Sequence, residues 1–292
     1  MPQNKDVKRL IYLHIHRTGG TTLRHEIIYK CIERRKVFLF QGCEPPTQCG
    51  SAEELLALSQ AEQEKLEVIV GHMPFGLREH LPWPESWRYV TFMREPIART
   101  VSTYYQVRHS AVPQAGEGLG PQAHHDANRY TLEEYARHRC MMSWNGMCQF
   151  LSNQRFGKPF ESDEAMFLEA WRNARELSYV GIMEEYDESV RRLCRMFGWK
   201  MPGNYARHNA LTPRDRTLSE SELETLRAAN AYDQVLYEHF RDRFALQGRQ
   251  HPFAQRQSGL LAKTMKFFGR SRPAAQRCAP ALPPKGPSGN SW

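Results

Sequence analysis

Three short, largely apolar runs restrict this chain to few architectures: residues 9–15 (RLIYLHI), 66–71 (LEVIVG) and 87–93 (WRYVTFM). None alternates polar with apolar positions as a strand with one wet face would. Strands buried on both faces belong to parallel sheets covered by helices. The intervening segments agree, since residues 22–34 place Leu23, Ile27, Ile28 and Ile32 at helical spacing and 52–65 read as helix. Further short strands are predicted at 36–41 and 179–183. Helices are predicted at 131–150, 161–177, 185–197 and 219–244, the last opened by the capping pair Ser219 and Glu222. Residues 110–128, rich in Gly, Pro, Ala, Gln and His without periodicity, read as a long loop. The expected fold class is α/β, a parallel β-sheet flanked by helices.

With 292 residues and 40% apolar composition, the chain can bury a sizeable core, which we place in one domain over residues 1–246. From residue 247 onward eight basic residues and no acidic ones accompany Pro, Gly and Ser, so a disordered tail is expected over 247–292. The whole net charge of +8 lies there. The body is neutral, so composition gives no ground for nucleic-acid binding, and the tail would at most be drawn to an anionic surface such as a membrane or a polyanionic acceptor. No apolar run of 18 residues and no signal-peptide pattern occurs, which reads as a soluble, cytoplasmic chain. Seven cysteines without a C-x-x-C pair suit reduced thiols, and only Cys43 and Cys49 are close enough in sequence for a local bridge.

Residues 13–23, LHIHRTGGTTL, set two glycines and three threonines between the first strand and the first helix. Gly19 and Gly20 let backbone N–H groups approach a phosphate, the helix N-terminus adds its positive dipole end, and Thr18, Thr21 and Thr22 offer hydroxyls. A nucleoside-triphosphate loop needs a lysine followed by Ser or Thr after its last glycine, and here Thr21 and Thr22 follow Gly20. Alone, such a loop is also compatible with a plain strand-to-helix turn. A second segment, residues 91–105 (TFMREPIARTVSTYY), places Arg94 at a strand end and Ser102 about two turns along the next helix. Both are predicted to face the crevice at the carboxyl ends of the strands. An isolated arginine there is usually a surface ion-pair partner; together with the glycine loop it describes a ligand with phosphates at two ends.

These two segments resemble the 5′-phosphosulfate loop (H-I-P-K-T-G-G-T-T) and the 3′-phosphate motif (R-D-P-x-x-R-x-x-S-x-Y-Y) of carbohydrate sulfotransferases that use 3′-phosphoadenosine 5′-phosphosulfate (PAPS). The branch is that of the heparan sulfate 2-O- and 6-O-sulfotransferases and their bacterial relatives. Here the motifs stand as HIHRTGGTT and REPIARTVSTYY, with Arg94, Arg99, Ser102, Tyr104 and Tyr105 in register. The likeness extends to residues 71–77, 180–199 and 230–240. It implies a P-loop-like 5′-phosphosulfate-binding loop at Arg17, Thr18, Gly19, Gly20, Thr21 and Thr22, and a 3′-phosphate site at Arg94 and Ser102. Transfer of the sulfuryl group to a glycan hydroxyl is the implied reaction, with no metal required. Arg17 replaces the family lysine and His16 the proline before it, while Glu95 replaces an aspartate whose implied task is hydrogen bonding at the helix start.

The resemblance assigns the general base to His72, with Glu79 and His80 as fallbacks, and Arg17 as the second catalytic group. His14 with His16, and His124-His125-Asp126, could mimic metal pairs but lack a third ligand at readable spacing. Asn145, Gly146 and Met147 match loosely a family motif near the acceptor. Tyr104 and Tyr105 suit helix core as well as ligand contact. Two other readings stay open: a degenerate protein that binds PAPS or its desulfated product without turnover, and an ATP-dependent phosphotransferase.

Overall fold

The computed structural model describes residues 8–40, 44–110, 120–140, 142–206, 208 and 217–247; the basic tail lies outside them. Six strands form one sheet, β1 (Arg9–Leu13), β2 (Val37–Phe40), β3 (Gln48–Gly50), β4 (Val68–Gly71), β5 (Trp87–Met93) and β6 (Tyr179–Ile182), in the order β3-β2-β4-β1-β5-β6. Every pairing is parallel. β1, β2, β4 and β6 are buried along their whole length, as their unbroken apolar runs require. Even Arg9 is buried: its guanidinium donates to the Leu66 carbonyl and Ser86 Oγ and lies over the Trp83 ring.

Chain order reverses direction at β1, because β4 lies on one side of it and β5 on the other. The register sets Leu13 beside both Gly71 and Thr91, so the segments after β1, β4 and β5 emerge side by side. That is the switch point where open parallel sheets receive ligands.

Several helices differ from the sequence expectation. The helical segment after β1 starts at Gly20 and contains a π-helical stretch, Leu23–Ile28. The expected helix at 52–65 is two short helices, Ala52–Ala57 and Gln60–Gln63, because Ser59 forms a second capping box with Glu62. β3 was not foreseen; three residues reading QCG carry no apolar signal. Part of the expected loop is the helix Gly120–Arg129, whose Ala123 and Ala127, four residues apart, are buried in a second core with Tyr104, Leu132 and Tyr135. Cys49 is disulfide-bonded, correcting the expectation of reduced thiols throughout; Cys43 lies outside the described residues.

The expected helices 131–150 and 219–244 are each broken, for one shared reason. The first yields Leu132–Arg137 and Gly146–Leu151, the second Glu220–Ala229 and Ala231–Gln247. At the junction Asn145 Oδ1 accepts from the Tyr232 and Asp233 amides, while the Asp233 carboxylate accepts from the Met147 and Cys148 amides. Each helix start is thus capped by a side chain from the other. Arg99, fully buried on the helix Pro96–His109, approaches Asp233 at 3.7 Å and donates to the Met142 carbonyl. Burial raises the Asp233 carboxyl and lowers the Arg99 guanidinium, so each depends on the other for its charge. Asp233→Ala should therefore cost about 3–5 kcal/mol in urea unfolding, since it uncaps one helix and strands a buried arginine; a loss below about 1 kcal/mol would show that the pair is not structural.

Candidate active site

The loop after β1 is shaped by contacts on both of its sides. Arg17 (φ 67°) and Gly19 (φ 82°) adopt left-handed backbone, which turns the chain sharply into the helix. A Cβ on Gly20 would fall 2.0 Å from the His14 ring, and one on Gly19 would fall 2.7 Å from Tyr186. Only bare backbone fits there, which is what a loop presenting N–H groups to a phosphate requires. The Thr18 hydroxyl donates to the Ile15 carbonyl, so it fixes the loop instead of facing a ligand. Thr22 Oγ1 accepts from the His208 amide, and Tyr186 donates to the Gly19 carbonyl.

Arg17 joins the two sequence motifs. Its Nε donates to Ser102 Oγ at 2.8 Å and its Nη1 to Gln106 Oε1 at 2.9 Å, both on the helix Pro96–His109. Arg94, leaving β5, donates through Nη1 to the Arg17 carbonyl at 3.3 Å. Two half-buried guanidiniums and a buried hydroxyl therefore share one place. Burial, then the neighbouring Arg94, lowers Arg17 to about 10, so it stays protonated at neutral pH. Glu95 caps the helix by accepting from the Ile97 and Ala98 amides, the task expected of it.

His72, leaving β4, stacks between two other imidazoles, with ring centroids 3.8 Å from His16 and 4.6 Å from His14. Its Nδ1 lies 2.5 Å from the His14 carbonyl oxygen. A carbonyl only accepts, so Nδ1 carries the proton and the neutral ring has its lone pair on Nε2. Desolvation lowers His72 to about 4, despite the opposing hydrogen bond to His14, and holds His14 and His16 well below the ordinary histidine value. Among the described residues no group of three His, Cys, Asp or Glu side chains is arranged for a metal.

The remaining expected residues lie elsewhere. Glu79 and His80 are exposed on the turn Leu77–His80, with Glu79 held by Arg78. Tyr104 is buried and donates to the Tyr130 carbonyl, so it is core. Asn145 is the buried helix cap described above, not a group facing the acceptor. His124 and Asn128 contact each other on the helix Gly120–Arg129, and His125 is exposed there. Sequence reading missed Gln106, which accepts from Arg17; a single polar residue on a helix carries no pattern.

A parallel sheet whose switch point carries a bare glycine loop, two arginines and a serine has the build of a protein that holds a phosphorylated ligand. Comparison with known proteins narrows that class. The model of the family "Galactose-3-O-sulfotransferase" matches residues 2–254, and the chain belongs to this family. Galactose-3-O-sulfotransferase 3 of Bos taurus is 28% identical over 246 residues, covering 80% of this chain and 56% of the relative. Heparan-sulfate 6-O-sulfotransferase 1 of Cricetulus griseus and that of Mus musculus are each 21% identical over 274 residues, covering 80% of this chain and 67% and 65% of theirs. The chain spans little more than half the length of the bovine relative.

The buried imidazoles also set a pH dependence. An unfolded histidine titrates near 6.5, whereas these are depressed when folded. The unfolded state therefore binds more protons below pH 6.5, and stability must fall as pH drops from there towards about 4. His25 and His239, also lowered mainly by burial, act in the same direction. Melting temperature should drop between pH 7 and pH 5, above the range where ordinary carboxylates titrate, and His16→Gln should lessen the drop. A flat profile over that interval would mean the imidazoles are already charged in the fold.

Proposed function

We propose that this protein is a carbohydrate sulfotransferase that moves the sulfuryl group of PAPS to a glycan hydroxyl. The observation that carries the reading is the arrangement of Arg17, Arg94 and Ser102 at the ends of β1 and β5, beside a tautomer-fixed His72 at the end of β4. The donor supplies an activated sulfuryl group and a good phosphate leaving group. Arg94 and Ser102 hold its 3′-phosphate, a group that does not react. The glycine loop receives the 5′-phosphosulfate, and Arg17 steadies the charge that grows on the leaving phosphate oxygen. His72 Nε2 takes the proton of the acceptor hydroxyl as the new oxygen–sulfur bond forms and the sulfur–phosphate oxygen bond breaks. With a pKa near 4 the ring is neutral at pH 7 and free to accept that proton.

Binding and chemistry then separate. Arg94→Ala and Ser102→Ala should each weaken the desulfated nucleotide by one to two decades in calorimetry, the effect of about 1.5–3 kcal/mol for a charge-assisted contact. His72→Ala should cut turnover on the order of 10²–10⁴-fold while nucleotide affinity stays within a few-fold. Near-normal turnover in His72→Ala would remove the base assignment.

One observation favours a second reading, a protein that binds the nucleotide without turnover. Arg17 stands where the family lysine would, and its guanidinium is turned to Ser102 and Gln106. Arg17→Lys and Arg17→Ala distinguish the two. For an enzyme, lysine should retain activity and alanine should lose about 10²-fold in kcat; product formation indistinguishable from background in all three proteins, with nucleotide binding intact, would establish the binding protein.

A further inference from the structure

Arg155 is a cation near His72 that the mechanism above does not use. Arg155 lies on the single turn Gln154–Phe156, between Asn153 and Gly157, both in left-handed backbone (φ 68° and 94°). The turn is clipped to the segment that follows His72. Asn153 Oδ1 accepts from the Phe75 amide at 2.7 Å, and its Nδ2 donates to the Phe75 carbonyl at 2.9 Å. Phe150, before the turn, and Phe156, its last residue, pack edge to face at 5.2 Å, and Phe150 meets the His72 ring at 6.2 Å. Arg155 is thereby fixed beside His72, and its charge acts on both His72 and His16.

Its side chain is half-buried, yet its Nε is fully enclosed without a hydrogen-bond partner, and no carboxylate among the described residues pairs with it. Arg24, Arg34 and Arg99 also enclose an unpartnered Nε, but each is bonded through another nitrogen to a carboxylate or a carbonyl, whereas no hydrogen bond or ion pair of Arg155 is present among the described residues. A guanidinium taken part-way out of water without a partner is costly, and an anion would offset that cost. Nor does Arg155 belong to the nucleotide pair. Arg17 and Arg94 follow β1 and β5 and meet at the Arg17 carbonyl, whereas the turn carrying Arg155 is clipped to the segment after β4. Arg155 thus goes with the segment that follows His72, the proposed base.

We propose that Arg155 is a specificity-determining residue that binds an anionic group, carboxylate or sulfate ester, on the acceptor glycan near the hydroxyl to be sulfated. The inference rests on the reading that the His72 side of the crevice receives the acceptor. It deepens that reading by naming the acceptor's charge. A bidentate fork suits either anion.

The test is calorimetry on the full-length protein saturated with desulfated nucleotide. The probes are methyl galactoside, methyl galacturonide and methyl galactoside 6-sulfate. The wild type should bind at least one anionic probe ten- to a hundredfold more tightly than the neutral one, and which one identifies the group. Arg155→Ala and Arg155→Gln should bring that ratio close to one, and Arg155→Lys should restore part of it. Melting curves of all variants check folding. Equal binding of neutral and anionic probes by the wild type, absence of binding of all three, or a preference that survives Arg155→Ala would each overturn the proposal. Because binding is read without turnover, a failure of sulfate transfer would count against the proposed reaction and leave this result standing.

Discussion

The His14 amide donates to the Gly71 carbonyl at 2.9 Å, and the Thr91 hydroxyl donates to the Leu13 carbonyl at 2.7 Å. These bonds close the carboxyl ends of β4, β1 and β5 into one edge. Everything chemical in the molecule is hung on that edge. A slip of one residue in any of the three strands would send its terminal side chains to the opposite face and part His72, Arg17 and Arg94. The hydrophobic burial of the three strands on both faces is what forbids the slip.

The same economy governs the charges. Buried cations are used in two ways that differ in their partners. Arg9 and Arg99 are spent on the fold, one bonded to carbonyls and lying over Trp83, the other set against Asp233. Arg17 and Arg94 donate to the neutral groups Ser102, Gln106 and a carbonyl, with the Glu184 and Glu95 carboxylates also acting on Arg94. A cation held by neutral groups keeps most of its field for a ligand. The imidazole stack works in the opposite sense: burial keeps His14, His16 and His72 neutral.

The two chain segments that flank the site depend on the crossed caps of Asn145 and Asp233. Those caps fix where the helix Gly146–Leu151 begins, and that helix leads into the turn carrying Arg155. Through Arg99 the same junction is tied to the helix that presents Ser102. The helix carrying Ser102 and the turn carrying Arg155 are thus braced by one buried polar network.

The sequence alone determined the parallel sheet, because strands buried on both faces cannot alternate polar and apolar residues. It also marked the two segments proposed to hold phosphates, because bare backbone at a strand end needs Gly19 and Gly20, and Arg94 and Ser102 stand near another strand end. Glu95 as a helix cap was readable for the same local reason. Tertiary structure decided what rests on distance in space. That Arg17 reaches from the loop to Ser102, that His14 and His16 both stack on His72, and that Asn145 caps a helix nearly ninety residues away are facts of packing. The breaks in two helices were equally hidden, since a side chain from another element supplies the cap. Arg155 is the plainest case: nothing in its neighbours' sequence marks it, and only the fold sets it beside the base.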